Sequence, residues 1–194
     1  MNFDFNELEQ LGSGAEKRVY AHPDNPEKVI GAFRKGLEEN PNETKARFYF
    51  NKILHILLPN NTADVHMASS KIFFAERKRL IGRIKTEESG GSDKDYDQDY
   101  YDLCKKLENI GVQYDGADVN FQYDDSGNLI YVENQRPWRS WLRNGKISPY
   151  FDREKLFAAI QGLEPRSKER ALVYLERLDG FLEEEKKYRS QDKK

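Results

Sequence analysis

The sequence predicts an α+β fold, with a small antiparallel sheet and one helix in the N-terminal half and a mainly helical C-terminal half. Three observations predict it. Short aromatic and β-branched runs alternate with turn formers between residues 11 and 85, and again between 120 and 132, which is the pattern of antiparallel strands. Residues 43–58, 100–110, 152–163 and 165–188 instead carry apolar side chains at helical spacing, with start or stop signals at their ends. The chain's 194 residues accommodate one domain or two small lobes, on a prior of ~100–200 residues per domain.

Taken in order, residues 11–20 begin the first strand pair, with Gly12-Ser13-Gly14 as a turn-forming triplet ahead of Val19 and Tyr20. Residues 22–27 hold two prolines and Asp24-Asn25, a turn, and residues 28–34 form a third strand. Residues 36–42 are a polar linker in which Asn42 is a helix-cap candidate. The helix over 43–58 turns Ala46, Phe50, Ile53, Leu54, Ile56, Leu57 and Leu58 to a broad apolar face and stops at Pro59-Asn60-Asn61. Glu43, in its first turn, complements the helix dipole. Two more strands, 64–74 and 79–85, joined by a charged turn over 75–78, complete a five-stranded N-terminal unit.

Residues 87–99 are acidic and glycine-rich, the composition of a mobile linker. Their alternating aspartates lack the glycine and twelfth-position glutamate of a calcium loop. The helix over 100–110 aligns Tyr100, Leu103, Cys104, Leu107 and Ile110, and Gly111 is its stop. Runs 120–123 and 129–132, separated by the turn formers 124–128, read as a β-hairpin. A tight hairpin brings its two ends together, so Asp115 and Asn120 before it approach Glu133 and Asn134 after it, an oxygen cluster suited to a hard cation and a phosphate. Trp138 and Trp141 are expected as core anchors. Asp152 and Pro165 open the last two helices, the second with a stripe of Leu172, Leu175, Leu178 and Leu182, and residues 190–194 are expected as a disordered tail.

Composition excludes several classes of function. With 32 basic against 34 acidic residues and a net charge of −2, no overall basic field recruits nucleic acid or an anionic membrane. A single cysteine, Cys104, excludes an intramolecular disulfide and a cysteine zinc cluster, and its amphipathic setting makes it a buried structural thiol. His55 and His66 lie in apolar stretches as structural histidines. No stretch reaches the ~20 apolar residues of a membrane helix and the N-terminus carries no signal pattern, so the expected location is the cytoplasm.

Across residues 11–138 the motifs fall in an order that resembles the protein-kinase-like superfamily. Gly12, Gly14 and Val19 match the glycine-rich loop G-x-G-x-x-G-x-V, with Lys17 at the third glycine; Asp115 and Asn120 keep the catalytic-loop spacing D-x-x-x-x-N; Glu133 follows the hairpin where that family carries the aspartate of D-F-G. The resemblance implies a bilobal fold, with an N-terminal lobe over 1–86, the linker 87–99 and a reduced C-terminal lobe over 100–189. It implies that Gly12, Ser13 and Gly14 cradle the phosphates of ATP, Val19 covers the purine and Arg34 neutralises charge. Asp115 would orient an acceptor hydroxyl, and Asn120 and Glu133 would hold Mg2+. The departures are Gly31 at one alignment of the phosphate-binding lysine, Gln113-Tyr114 in place of His-Arg, Ala117 in place of a lysine, Glu133-Asn134 in place of Asp-Phe, and no A-P-E motif. They imply a pseudokinase, a nucleotide-binding or protein-interaction module in which binding of ATP and Mg2+ is weak or absent. The alternatives are an active small atypical kinase that transfers the ATP γ-phosphoryl to a small molecule or protein, and an α+β binding protein unrelated to kinases.

Overall fold

The computed structural model describes residues 3–13, 17–33, 41–67, 72–76, 80–83, 86–87, 95–114, 120–131, 138–139 and 148–191. Its fold is α+β. Strands β1 (Gln10–Ser13), β2 (Lys17–Ala21) and β3 (Lys28–Phe33) form an antiparallel meander, continued by β5 (Ile72–Glu76) and then β4 (Val65–Met67) at the edge. The five strands of this sheet are not the five expected. The stretch 64–74 is two strands, with Val65 opposite Ala75 and Met67 opposite Phe73, so Ala75 and Glu76 belong to a strand and not to a turn.

The strand expected over 79–85 leaves that sheet. Its observed form, β6 (Leu80–Arg83), pairs with β9 (Phe121–Asp124), and β9 pairs with β10 (Leu129–Tyr131), giving a second antiparallel sheet in the order β10-β9-β6. β6 therefore extends the expected hairpin by a third strand. Two short pairs complete the sheets: β7 (Thr86–Glu87) with β8 (Asp95–Tyr96), and β11 (Trp138–Arg139) with β12 (Ser148–Pro149). The pairing of Glu87 with Asp95 closes the two ends of the stretch expected as a free linker; residues 88–94 lie outside the described residues.

Helix α1 (Pro41–Leu57) starts ahead of the expected Asn42 cap, because Pro41 supplies the preset φ of a first helical turn. Its Phe50, Ile53 and Leu54 are buried in the main core, while Phe48 reaches the small cluster of Val65 and Ala75 on the N-terminal sheet. The main partner of α1 is α4 (Pro165–Gln191), on which Tyr49 stacks against Phe181 at 5.9 Å and meets Tyr174 at 5.8 Å. Helix α2 (Gln98–Asn109) begins two residues before the expected Tyr100, after the N-cap Asp97, and buries Tyr100, Leu103, Cys104 and Leu107. Cys104 is thus a buried thiol, as expected, and burial pushes it above the ordinary cysteine range.

Gly111 ends α2 with φ +82°, accepted by the Glu108 carbonyl, while the Val112 N–H reaches the Leu107 carbonyl at 2.8 Å. This paired closure, with Val112 and Leu107 both buried, is a Schellman motif. Glycine is required there twice over, since a Cβ would also stand 2.8 Å from the Asp152 carbonyl oxygen and the Lys155 Cβ. Asp152 then caps α3 (Arg153–Gln161), its carboxylate accepting from the N–H groups of Glu154 and Lys155. Arg153 fastens α3 to α4 through two bonds to Asp179, at 2.9 and 2.7 Å. Ala171, Leu175, Leu178 and Leu182 form the buried stripe of α4, one position away from the expected Leu172, which is half-buried. Helix α4 runs to Gln191, so Ser190 and Gln191 are helical where a disordered tail was expected. No helix of the described residues is long and apolar enough to cross a membrane.

Candidate functional site

Two hairpins carry the candidate site. In the first, Gly12 stands opposite Val19 and Ser13 opposite Arg18, with a register shift between Gln10 and Gly12. Ser13 is exposed and Gly12 and Val19 are half-buried. A Cβ added to Gly12 would meet no atom within 4 Å. Packing does not demand a glycine here, and a larger side chain would find room. Val19 is also opposite Gly31 in β3, and Gly31 is opposite Phe73, so one candidate for the phosphate-binding position is a buried mid-sheet residue with no side chain to offer.

The second hairpin, β9–β10, is closed by Asp124. Its Oδ1 accepts from the N–H groups of Ser126 (3.0 Å) and Asn128 (2.8 Å), and its own N–H donates to the Asn128 carbonyl at 2.9 Å. Gly127 takes φ +79°, the left-handed conformation the turn needs. Asp124 is only 4% exposed, and the hydrogen bonds compensate its burial. Phe121 is fully buried and meets the rings of Tyr100 at 4.9 Å, Tyr131 at 5.1 Å and Tyr114 at 6.1 Å. The outer edge of β10 is held by Asn61, whose side-chain amide donates to the Leu129 carbonyl and whose carbonyl accepts from the Tyr131 N–H, each at 2.8 Å.

These contacts fix what flanks the expected catalytic residues. Tyr114, immediately before residues 115–119, rests on Phe121 and donates to Glu108 at 3.2 Å; the Gln113 N–H donates to the Tyr150 carbonyl at 2.8 Å. Asn120 is half-buried at the start of β9. Asp115, Glu133, Gly14 and Arg34 lie outside the described residues, and so does the expected approach of Asp115 to Glu133 across from Arg34. Trp141 and the side chains of Trp138 and Glu43 lie outside them as well.

Two polar groups escaped the sequence reading. The Tyr123 hydroxyl faces Asp97 at 2.9 Å and Asp99 at 3.0 Å, and burial together with those two carboxylates raises its pKa well above the ordinary phenol range. Asp97 accepts from Tyr123 through one carboxylate oxygen, Oδ2, and makes no side-chain cap bond to α2. The second group joins α1 to the sheet edge: Lys52 Nζ meets Asp64 Oδ1 at 2.6 Å, and His66 Nε2 lies 3.3 Å from Asp64 Oδ2. Burial works against the Asp64 carboxylate, but Lys52, His55 and His66 outweigh it and hold its pKa below the usual carboxylate range. Burial and the Lys52 charge push the pKa of His66 down, against the pull of Asp64. His55 bonds the Thr62 carbonyl at 3.1 Å, the satisfied structural histidine expected. Among the described residues no group of three His, Cys, Asp or Glu side chains is placed to hold a metal ion. No protein-family model matches the chain, and no curated protein matches it in sequence.

Proposed function

We propose that the chain is a degenerate kinase-like protein, a pseudokinase, acting as a weak nucleotide-binding or protein-interaction module with phosphoryl transfer weak or absent. The observation that carries this reading is the first hairpin: Gly12 opposite Val19, with open space over the glycine, leads into β3 and then α1. Supporting it, Asn120 stands at the foot of a rigid hairpin whose far strand leads toward Glu133. In this role the backbone of 12–14 cradles phosphate, Arg34 supplies the positive charge that Gly31 does not, and Asn120 with Glu133 holds Mg2+. Mg2+ requires near-octahedral oxygens at ~2.0–2.1 Å, and the glutamate arm is one methylene longer than the aspartate of D-F-G, so metal affinity is low. Unless Arg34 substitutes for the lysine, the lost charge-assisted contact lowers nucleotide affinity by a further ~1.5–3 kcal/mol.

Titration calorimetry with Mg·ATP, beside Glu133→Asp, tests the reading. Weak or absent heat for the wild type, strengthened by Glu133→Asp, is the expected result. Tight binding and turnover of ATP by the wild type, abolished by Asp115→Ala, would establish an active kinase instead. The placement of β6 in the β9–β10 sheet favours a second reading, an α+β binding protein unrelated to kinases. That reading requires that neither the wild type nor Glu133→Asp is stabilised by Mg·ATP, where a ligand at 100 times its dissociation constant adds ~2.7 kcal/mol.

A further inference from the structure

Helix α4 has two unlike faces. Ala171, Leu175, Leu178 and Leu182 are buried against the core, whereas the opposite side exposes Val173 and Tyr188, 48% and 60% accessible, with Glu176, Arg177, Gly180 and Glu184 between them. At roughly 100° per residue, Val173, Arg177, Gly180, Glu184 and Tyr188 fall on one narrow stripe, directly opposite the buried one. Val173, Glu176, Arg177, Gly180, Phe181 and Glu184 line a shallow groove of about 320 Å³. Gly180 has no internal reason to be a glycine: it sits in mid-helix, where glycine weakens the helix, and a Cβ there would meet nothing within 4 Å. Neither Arg177 nor Glu184 is held by an ion pair among the described residues.

We propose that this face is a homodimer interface on which a second copy of the chain lays its α4 antiparallel, about a two-fold axis passing between Gly180 and Phe181. The argument is the self-complementarity of the stripe about that point. A two-fold axis makes residues equidistant from it meet across the interface. Val173 then meets Tyr188 of the second copy, apolar on apolar; Arg177 meets Glu184, cation on anion; Gly180 meets Phe181, so the aromatic edge enters the space the missing Cβ leaves. Each pairing occurs twice by symmetry. Phe181 is already stacked on Tyr49 at 5.9 Å and 16°, which fixes its ring for such a contact. A single helix pair buries less than the ~1,200–2,000 Å² of a standard interface, so association is weak and reversible.

Sedimentation equilibrium of the full chain from about 1 µM to about 1 mM tests the proposal. The wild type should pass from monomer to dimer across that range. Arg177→Glu and Glu184→Arg should each weaken the dimer about tenfold by placing like charges opposite one another, and the two changes together should restore most of the affinity. That rescue is a result a general structural defect would not give. Mixing the single variants Val173→Cys and Tyr188→Cys under mild oxidation should yield a disulfide between the two different variants; the native thiol, Cys104, is buried. A monomer at every concentration, or a dimer indifferent to both charge reversals, would overturn the proposal. So would a dimer in which the 173–188 disulfide never forms.

Discussion

The two hairpins of the candidate site are built on opposite terms. β9–β10 is fastened from every side: Phe121 lies under three tyrosine rings, Asp124 closes the turn with its carboxylate, and Asn61 covers the outer strand. β1–β2 is enclosed on one strand: β2 pairs on with β3 and buries Tyr20 against Phe5, whereas β1 is largely exposed and its glycine faces open space. The difference teaches which hairpin can adapt. A hairpin packed on both strands tolerates little change along its length, whereas a hairpin with one exposed strand can lose or gain side chains there at little cost in packing.

The largest expected effect breaks the packed member. Phe121→Ala removes a fully buried ring, and we expect a loss of about 3–5 kcal/mol in urea unfolding. A loss under ~1 kcal/mol would mean that the hairpin is no better anchored than β1–β2. Next comes the turn. Asp124→Ala leaves the amides of Ser126 and Asn128 without their acceptor, for about 1–3 kcal/mol, read by the same unfolding curves and by faster amide exchange at those two residues.

Acid should separate the hairpins without any substitution, because α1 is tied to the start of edge strand β4 of the first sheet by the ion pair Lys52–Asp64, with His66 beside it, in addition to the packing of Phe48. Both native pKa values are depressed, His66 from 6.5 and Asp64 from 3.8. A depressed group binds fewer protons folded than unfolded, so the stability it supplies is complete above the unfolded value and is lost as pH falls through the folded one. We expect amide protection in β4 and β5 to fall first below about pH 6.5 and further below about pH 3.8, with β9–β10 protected longer. Lys52→Met should remove most of the lower step. Equal loss in both sheets would dissolve the distinction.

The smallest effect belongs to Gly12→Ala. With nothing within 4 Å of the new methyl, stability should stay within about 0.5 kcal/mol of the wild type. Any nucleotide or phosphate that rests on this backbone should bind more weakly, and a calorimetric titration with ATP or inorganic phosphate reads that directly. A stability loss above ~1 kcal/mol would count β1–β2 among the packed elements.

What the chain discloses as sequence follows the range of the forces involved. The turn over 124–128 was legible because Asp124, Gly127 and Asn128 act on their own neighbours. So were the Gly111 stop and the Asp152 cap, where one residue satisfies its adjacent backbone. Partner choice was not legible. β6 looks like any short apolar strand, and its pairing with β9 rather than with the first sheet depends on tertiary packing far along the chain. The split of 64–74 was hidden because a three-residue strand such as β4 is shorter than any reliable alternation. The start of α2 was hidden by an Asp-rich composition that reads as solvated chain until Tyr123 supplies a partner for Asp97 and Asp99. At the candidate site, glycine spacing disclosed the first hairpin, whereas Lys52 and Asp64, twelve residues apart across a helix end, offered no local pattern.

The packing of α1 on α4 also has a consequence during synthesis. More than a hundred residues separate the end of α1 at Leu57 from the start of α4 at Pro165. At ~5–20 residues per second, the ribosome leaves the apolar face of Phe50, Ile53 and Leu54 without its helical partner for roughly 5–25 s. Through that interval the nascent chain exposes these apolar side chains, the kind of surface that chaperones hold and that aggregates when it waits. A synonymous slowdown between α1 and α4 would lengthen the exposure and favour aggregation, with the finished protein's stability unchanged.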